Sequence, residues 1–125
     1  MEDIAVRKAH LLIIEDSAEI RETLELVLTE EGYTVSLAPD LSRAFALLSA
    51  QAFDLVLTDL FTFSQVDPLQ SVSQLHVRAA PTPIGVISGW QVDPEYAKRQ
   101  GFAFLLTKPF ELEDLLECVA TCLAT

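Results

Sequence analysis

Short apolar runs alternate with helical patterns five times along this chain of 125 residues. Each run is too short for a core helix, and the segment after it carries apolar residues at helical spacing. This alternation favours a parallel sheet with helices on both faces, because each crossover helix returns the chain to the same end of the sheet. The sequence therefore predicts an α/β fold: a five-stranded, doubly wound (βα)5 three-layer sandwich.

The boundaries of these elements follow from the apolar periods and from the residues that end them. Gly32 and Gly101 favour left-handed caps after two helices, Asp40 offers an N-cap, and Pro68 fits a first helical turn. The elements use the whole chain, so we expect one domain over residues 1–125, with a core from about 9 to 124 and no output domain. The predicted strands are 10–14, 34–38, 54–58, 81–88 and 102–106, and the predicted helices are 18–31, 41–48, 68–77, 93–100 and 111–124.

Composition excludes several classes of partner. The chain has 19 acidic and 8 basic residues and a net charge of −11, which disfavours binding to nucleic acid or to an anionic membrane surface. No apolar run approaches the roughly 20 residues of a spanning helix, and the first ten residues lack the apolar core of a secretory signal. Cys118 and Cys122, four apart in one predicted helix, are typical of reduced thiols. We therefore expect a cytoplasmic location.

Polar side chains stand where four of the apolar runs stop. Glu15 and Asp16 follow the first run, Asp59 the third and Ser88 the fourth, and Lys108 follows the fifth. If these runs are parallel strands, all of these side chains lie at one edge of the sheet. Open parallel sheets bind their ligands outside the carboxyl ends of the strands, so this edge is the candidate site.

The chemistry of these groups points to a cation and a phosphoryl group. Two carboxylates 4 Å apart repel by about 4 kcal/mol at an effective dielectric of 20, so the cluster needs a cation to offset its charge. Hard oxygen ligands favour Mg²⁺. One carboxylate can then attack phosphorus to give an aspartyl phosphate. Lys108 can pair with a phosphoryl oxygen, and Ser88 can donate a hydrogen bond to another.

The order of these residues carries a family resemblance. Glu-Asp follows the first strand, Asp the third, Ser the fourth and Lys-Pro-Phe the fifth. This ordered set resembles the receiver domain of two-component response regulators, the CheY-like family, over about residues 9–124. The resemblance implies a flavodoxin-like fold. It also implies that the chain is not an enzyme, apart from assisting its own phosphorylation and dephosphorylation.

The resemblance further implies a role for each matching residue. Asp59 matches the phosphoryl acceptor, Ser88 the switch hydroxyl, and Lys108 the lysine that pairs with the phosphoryl group. The Lys108–Pro109 bond is expected to be cis, as in that family. The implied ligands of Mg²⁺ are the side chains of Glu15, Asp16 and Asp59 and the backbone carbonyl of Phe61.

The implied partners are proteins. A sensor histidine kinase or a histidine phosphotransfer protein would supply the phosphoryl group from a phosphohistidine. A downstream protein target, or a second copy in a homodimer, would respond to it through a surface around the fourth helix, fifth strand and fifth helix. Contact with nucleic acid or membrane is not expected, because the net charge is −11.

Two departures from the family pattern favour an alternative function. The loop at 60–67 lacks the usual Met-Pro, and Leu105 replaces an aromatic residue that normally moves with the switch hydroxyl. Phe104, one residue earlier, is expected on the opposite face of the strand. The alternative is a receiver-like interaction module that works without phosphorylation. A metal-dependent phosphatase is disfavoured, because such enzymes usually need a second Asp where Phe61 stands.

Overall fold

The computed structural model describes residues 9–59, 68–89 and 93–124, in which five strands alternate with five helices. The elements, in chain order, are β1 (His10–Ile14), α1 (Ala18–Glu30), β2 (Thr34–Ala38), α2 (Leu41–Ala50), β3 (Leu55–Asp59), α3 (Pro68–Ala79), β4 (Ile84–Ser88), α4 (Pro94–Arg99), β5 (Phe104–Thr107) and α5 (Leu112–Leu123).

All neighbouring strands are parallel, and their order across the sheet is β2-β1-β3-β4-β5. The chain moves outward from β1 to β2, then crosses to the other side of β1 to form β3. The crossover direction therefore reverses between β1 and β3, and in open sheets this is where ligands bind, outside the carboxyl ends of the strands. The predicted doubly wound α/β fold is confirmed.

Some predicted strand boundaries were wrong by one to three residues. β3 ends at Asp59 rather than one residue earlier, because Asp59 still pairs in register with Ile87 of β4. β5 begins at Phe104, whose partner is Gly85, rather than at residue 102. β4 begins only after Pro83, since a proline has no N–H to donate to a strand ladder.

Two apolar layers hold the helices against the sheet, because successive side chains of a strand point to opposite faces. One layer joins β1, β3 and β4 to α2 and α3, and the other joins the same strands to α1 and α5. β3 and β4 are buried along their whole length, as expected for central parallel strands. Their carboxyl ends are thus fixed by packing on both sides.

The helix ends use the predicted capping residues. The Asp40 side chain accepts a hydrogen bond from the N–H of Arg43 at 2.8 Å. Gly32 has φ +100° and follows α1, and its N–H donates to the carbonyl of Thr29 at 3.0 Å. Gly101, with φ +79°, ends the turn after α4. Glycine suits both positions because a left-handed backbone is strained in residues with a Cβ.

The structure also bears on the predictions about membrane spans and thiols, and it places the two histidines. None of the helices among the described residues is long and apolar enough to cross a membrane. Cys118 and Cys122 are free thiols, each half-buried. His10 has its ring Nε2 2.8 Å from the hydroxyl of Ser36, and His76 stacks on Phe102. Both histidines thus pack against neighbouring side chains.

The aromatic residue of β5 lies on the face that the strand period predicts. Phe104 packs in the layer with α1 and α5, whereas Leu105 packs in the layer with α2 and α3. The Phe104 ring lies directly over Gly85, its partner on β4. A Cβ at Gly85 would come within 2.6 Å of Phe104 Cε1, so the ring occupies the space that a side chain would need.

Gly85→Ala is therefore expected to destabilise the domain by about 1–3 kcal/mol, the usual cost of overpacking. The free energy of unfolding in urea measures this. In a Phe104→Ala background, the same Gly85→Ala change should cost less than about 0.5 kcal/mol, because the ring is gone. An equal cost in both backgrounds would show that the ring does not set the requirement for glycine.

Candidate functional site

The candidate site lies where β1, β3 and β4 end. Asp59 is the last residue of β3 and its side chain is only 2% exposed. Ser88 is the last residue of β4 and is fully buried. Glu15 follows β1 and is also buried, held by its N–H donating to the carbonyl of Ala38 at 3.0 Å. The predicted convergence on one edge of the sheet is observed for these three residues.

Lys108 closes the site from β5. Its Nζ lies 2.5 Å from Oδ2 of Asp59. Its own N–H donates to the carbonyl of Ser88 at 2.7 Å, which fixes where the side chain starts. The bond from Lys108 to Pro109 is cis, as predicted. The Lys108 side chain is 29% exposed and the Asp59 side chain is nearly buried, so the ammonium group offsets a negative charge that water hardly reaches.

Glu15 is the second acidic group beside Asp59. Burial is the main cause that raises the pKa of the Glu15 carboxyl to about 8, helped by its hydrogen bond to Asp59 and by the negative charge there. The N–H of Ser17, 3.1 Å from Glu15 Oε2, and the charge of Lys108 lower this pKa. At neutral pH the protonated Glu15 therefore donates a hydrogen bond to the Asp59 carboxylate.

The turn from β1 to α1 is held by residues that the sequence analysis did not identify. The Ser17 side chain caps α1 by accepting from the N–H of Ile20 at 3.3 Å. Arg21 Nη1 donates to the carbonyl of Glu15 at 2.8 Å and lies 3.4 Å from that of Asp16. The sequence signal for Arg21 is its position six residues after Glu15. A long basic side chain in the first turn of a helix can reach back to the end of the preceding strand.

The predicted site residues are not all brought together. Asp16 is exposed, and within the described residues no three His, Cys, Asp or Glu side chains converge as a metal site. The expectation of three clustered carboxylates is therefore met by two, Glu15 and Asp59. Phe61, whose carbonyl was the fourth predicted ligand, lies outside the described residues. Ser88 is at the same edge, joined to Lys108 through the backbone.

The donor chemistry nevertheless fits a hard divalent cation. Glu15 and Asp59 place two buried carboxyl groups in hydrogen-bond contact, and one of them holds a proton because both cannot ionise cheaply. Asp16 is the next residue after Glu15 and faces solvent at the same strand end. A cation that keeps several waters and takes one or two carboxylates suits such a half-open set.

Comparisons with known proteins point to one family. The family model of the response regulator receiver domain matches residues 11–120. The response regulator protein PilR of Pseudomonas aeruginosa is 36% identical over 116 residues, 90% of this chain and 25% of PilR. The transcriptional regulatory protein GlrR of Escherichia coli is 29% identical over 115 residues, 90% of this chain and 26% of GlrR. The chain thus spans about a quarter of each relative.

Among solved structures, the non-phosphorylated receiver domain of HemR from Leptospira biflexa matches with a TM-score of 0.82. The two sequences are 25% identical, and the match covers 94% of this chain and 96% of that one. The likeness therefore extends over nearly the whole fold of both chains.

Glu15→Gln is expected to make stability less dependent on pH when divalent cations are removed with EDTA. The folded state raises the pKa of Glu15 from 4.5 to about 8, so the folded state binds the proton more tightly and wild-type stability falls as pH rises between these values. Glutamine keeps an oxygen for the Ser17 N–H and stays neutral. Relative to wild type, the variant should gain about 4 kcal/mol between pH 5 and pH 8.5, since most of the interval between the two pKa values, 4.5 and about 8, is crossed in this range.

Urea unfolding at the two pH values measures this gain. Glu22→Gln on α1 is the matched control, because Glu22 is exposed, and its difference from wild type should not change with pH. A difference between Glu15→Gln and wild type that is the same at pH 5 and pH 8.5 would contradict the account.

Proposed function

Because this chain belongs to the response regulator receiver domain family, we propose that Asp59 accepts a phosphoryl group from the phosphohistidine of a partner protein, with Mg²⁺ as cofactor. The observation that carries the proposal is the contact of Lys108 with Asp59 beside a second buried carboxyl group, Glu15. These groups lie at the carboxyl ends of parallel strands, where open sheets place their ligands.

The chemistry is a transfer between two nucleophiles. An oxygen of the Asp59 carboxylate attacks phosphorus, the new P–O bond forms, and the P–N bond to the donor imidazole breaks. The imidazole leaves with the electron pair of that bond and takes a proton from solvent. Lys108 is already within 2.5 Å of Asp59, so its ammonium can offset the negative charge of the transferred group without a large movement.

The carboxylates are the groups that would hold the cation. Glu15 and Asp16 would bind it from the turn after β1, together with Asp59 and the backbone carbonyl of Phe61. A bound Mg²⁺ supplies positive charge that offsets the phosphoryl oxygens. Binding would also release the proton that Glu15 holds, because a carboxylate ligand must be ionised.

Ser88 is proposed to respond to the phosphoryl group. Its hydroxyl is buried at the end of β4, and its carbonyl is bonded to the N–H of Lys108. A shift of the Ser88 backbone would therefore also move the end of β5. Leu105 has no ring to move, so output through β5 would depend on how its aliphatic side chain packs in the layer with α2 and α3.

The proposed partners are a sensor histidine kinase or a histidine phosphotransfer protein as donor, and a downstream protein or a second copy as target. The net charge of −11 supports protein partners over nucleic acid, because nucleic-acid binding depends on basic side chains. We further propose that the chain works as a signalling module rather than as an enzyme that turns over an external substrate.

Incubation with Mg²⁺ and acetyl phosphate, read by intact mass, tests the proposal. Wild type is expected to gain the mass of one phosphoryl group, and Asp59→Asn to gain none, since an amide cannot form the acyl phosphate. Lys108→Met should lower the rate of the gain by roughly 100- to 1,000-fold, the range found when a charge-stabilising donor is removed.

The controls separate phosphorylation from loss of the fold. Lys98→Met removes an exposed lysine of α4, and its rate should equal that of wild type. Circular dichroism should be unchanged in every variant. If folded wild type gains no mass at any Mg²⁺ concentration, the chain works as an interaction module without phosphorylation.

A further inference from the structure

Arg21 ties the first turn of α1 to the acidic turn that precedes it. Its Nη1 donates to the carbonyl of Glu15 at 2.8 Å and lies 3.4 Å from the carbonyl of Asp16. Its backbone N–H donates to the carbonyl of Ser17 at 2.9 Å, which begins the helix. One residue thus contacts the main chain of all three positions of the turn.

We propose that Arg21 is a positioning residue for the cation site: it fixes the backbone of the Glu15–Asp16 turn so that both carboxylates are held for Mg²⁺. This inference rests on the proposed function, since it names what controls cation affinity at that site. The guanidinium acts through main-chain carbonyls, whereas a salt bridge would draw the carboxylates away from the cation.

Glu15 and Asp16 are held in different ways, and this difference is why the turn needs a positioning residue. Glu15 is buried and bonded to the Ser17 N–H and to Asp59. Asp16 is exposed, so its direction is set mainly by its own backbone. If the backbone at Asp16 were mobile, ordering it when the cation binds would cost entropy. A backbone that is already fixed reduces this cost and so strengthens binding.

Charge alone predicts the opposite effect, which makes the proposal testable. An arginine near a cation site repels the cation, so removal of its charge should raise Mg²⁺ affinity. If Arg21 acts by positioning, its removal should instead lower the affinity, because outer partners that orient ligands are worth about 10- to 100-fold in metal affinity.

The test measures Mg²⁺ affinity by calorimetry in Arg21→Met and Arg21→Lys. We expect Arg21→Met to bind about tenfold more weakly, although it has lost a repelling charge. Lysine keeps the charge, but its side chain is shorter than that of arginine and lacks the planar guanidinium. Arg21→Lys should therefore recover only part of the affinity. Thr23→Ala is the control, because the Thr23 hydroxyl bonds only to Glu19 within α1 among its described contacts, and it should bind as wild type does.

A second readout needs no cation. The N–H groups of Glu15, Ser17 and Ile20 are hydrogen-bonded in or beside this turn. Their amide hydrogen exchange in EDTA should become about tenfold faster in Arg21→Met than in wild type, while exchange in β3 stays unchanged. Equal or tighter Mg²⁺ binding by Arg21→Met overturns the inference, and so does unchanged exchange in the turn. If wild type binds no Mg²⁺, the proposed function fails, and the exchange result still shows whether Arg21 fixes the turn.

Discussion

A buried carboxylate paired with a single ammonium group is the interaction on which the rest of this domain depends. Asp59 ends the central strand β3, nearly out of reach of water, with Lys108 against one oxygen and the carboxyl group of Glu15 beside it. An ion in such a place is costly unless its charge is offset. Burial, together with the hydrogen bond to Asp59 and its negative charge, raises the pKa of Glu15 to about 8, so Glu15 retains its proton at neutral pH. The site thus holds two carboxyl groups and one ammonium group. Such a set suits a site that binds a cation and accepts a phosphoryl group.

The fold supplies this arrangement through strand ends that cannot easily move. β3 and β4 are buried along their length, and the register between them places Ser88 one residue beyond Asp59. Phe104 packs β5 against β4, because its ring fills the space over Gly85. Lys108 follows the last residue of β5, and its N–H donates a hydrogen bond to the carbonyl of Ser88. On the other side, the cap at Ser17 and the bonds of Arg21 hold the acidic turn to α1.

The sequence predicted the sheet, its parallel order and most of the site, because apolar runs and glycine or proline boundaries are local signals. It also predicted that Phe104 and Leu105 face opposite layers. It did not predict that β3 continues through Asp59, since that depends on pairing with Ile87 of another strand. The roles of Arg21 and of Gly85 were also missed, because both arise from contacts between segments that the period of one segment does not record. Asp16 was expected in a cluster of three carboxylates, whereas the structure exposes it.

The measurement that tests the account most directly is the effect of Mg²⁺ on the free energy of unfolding. If the carboxyl groups form a cation site, wild type should gain about 2.7 kcal/mol at a Mg²⁺ concentration 100 times its dissociation constant. Asp59→Asn, which lacks one of the two buried carboxylates, should gain much less. A wild type whose stability does not change with Mg²⁺, or an equal gain in both proteins, would contradict the account.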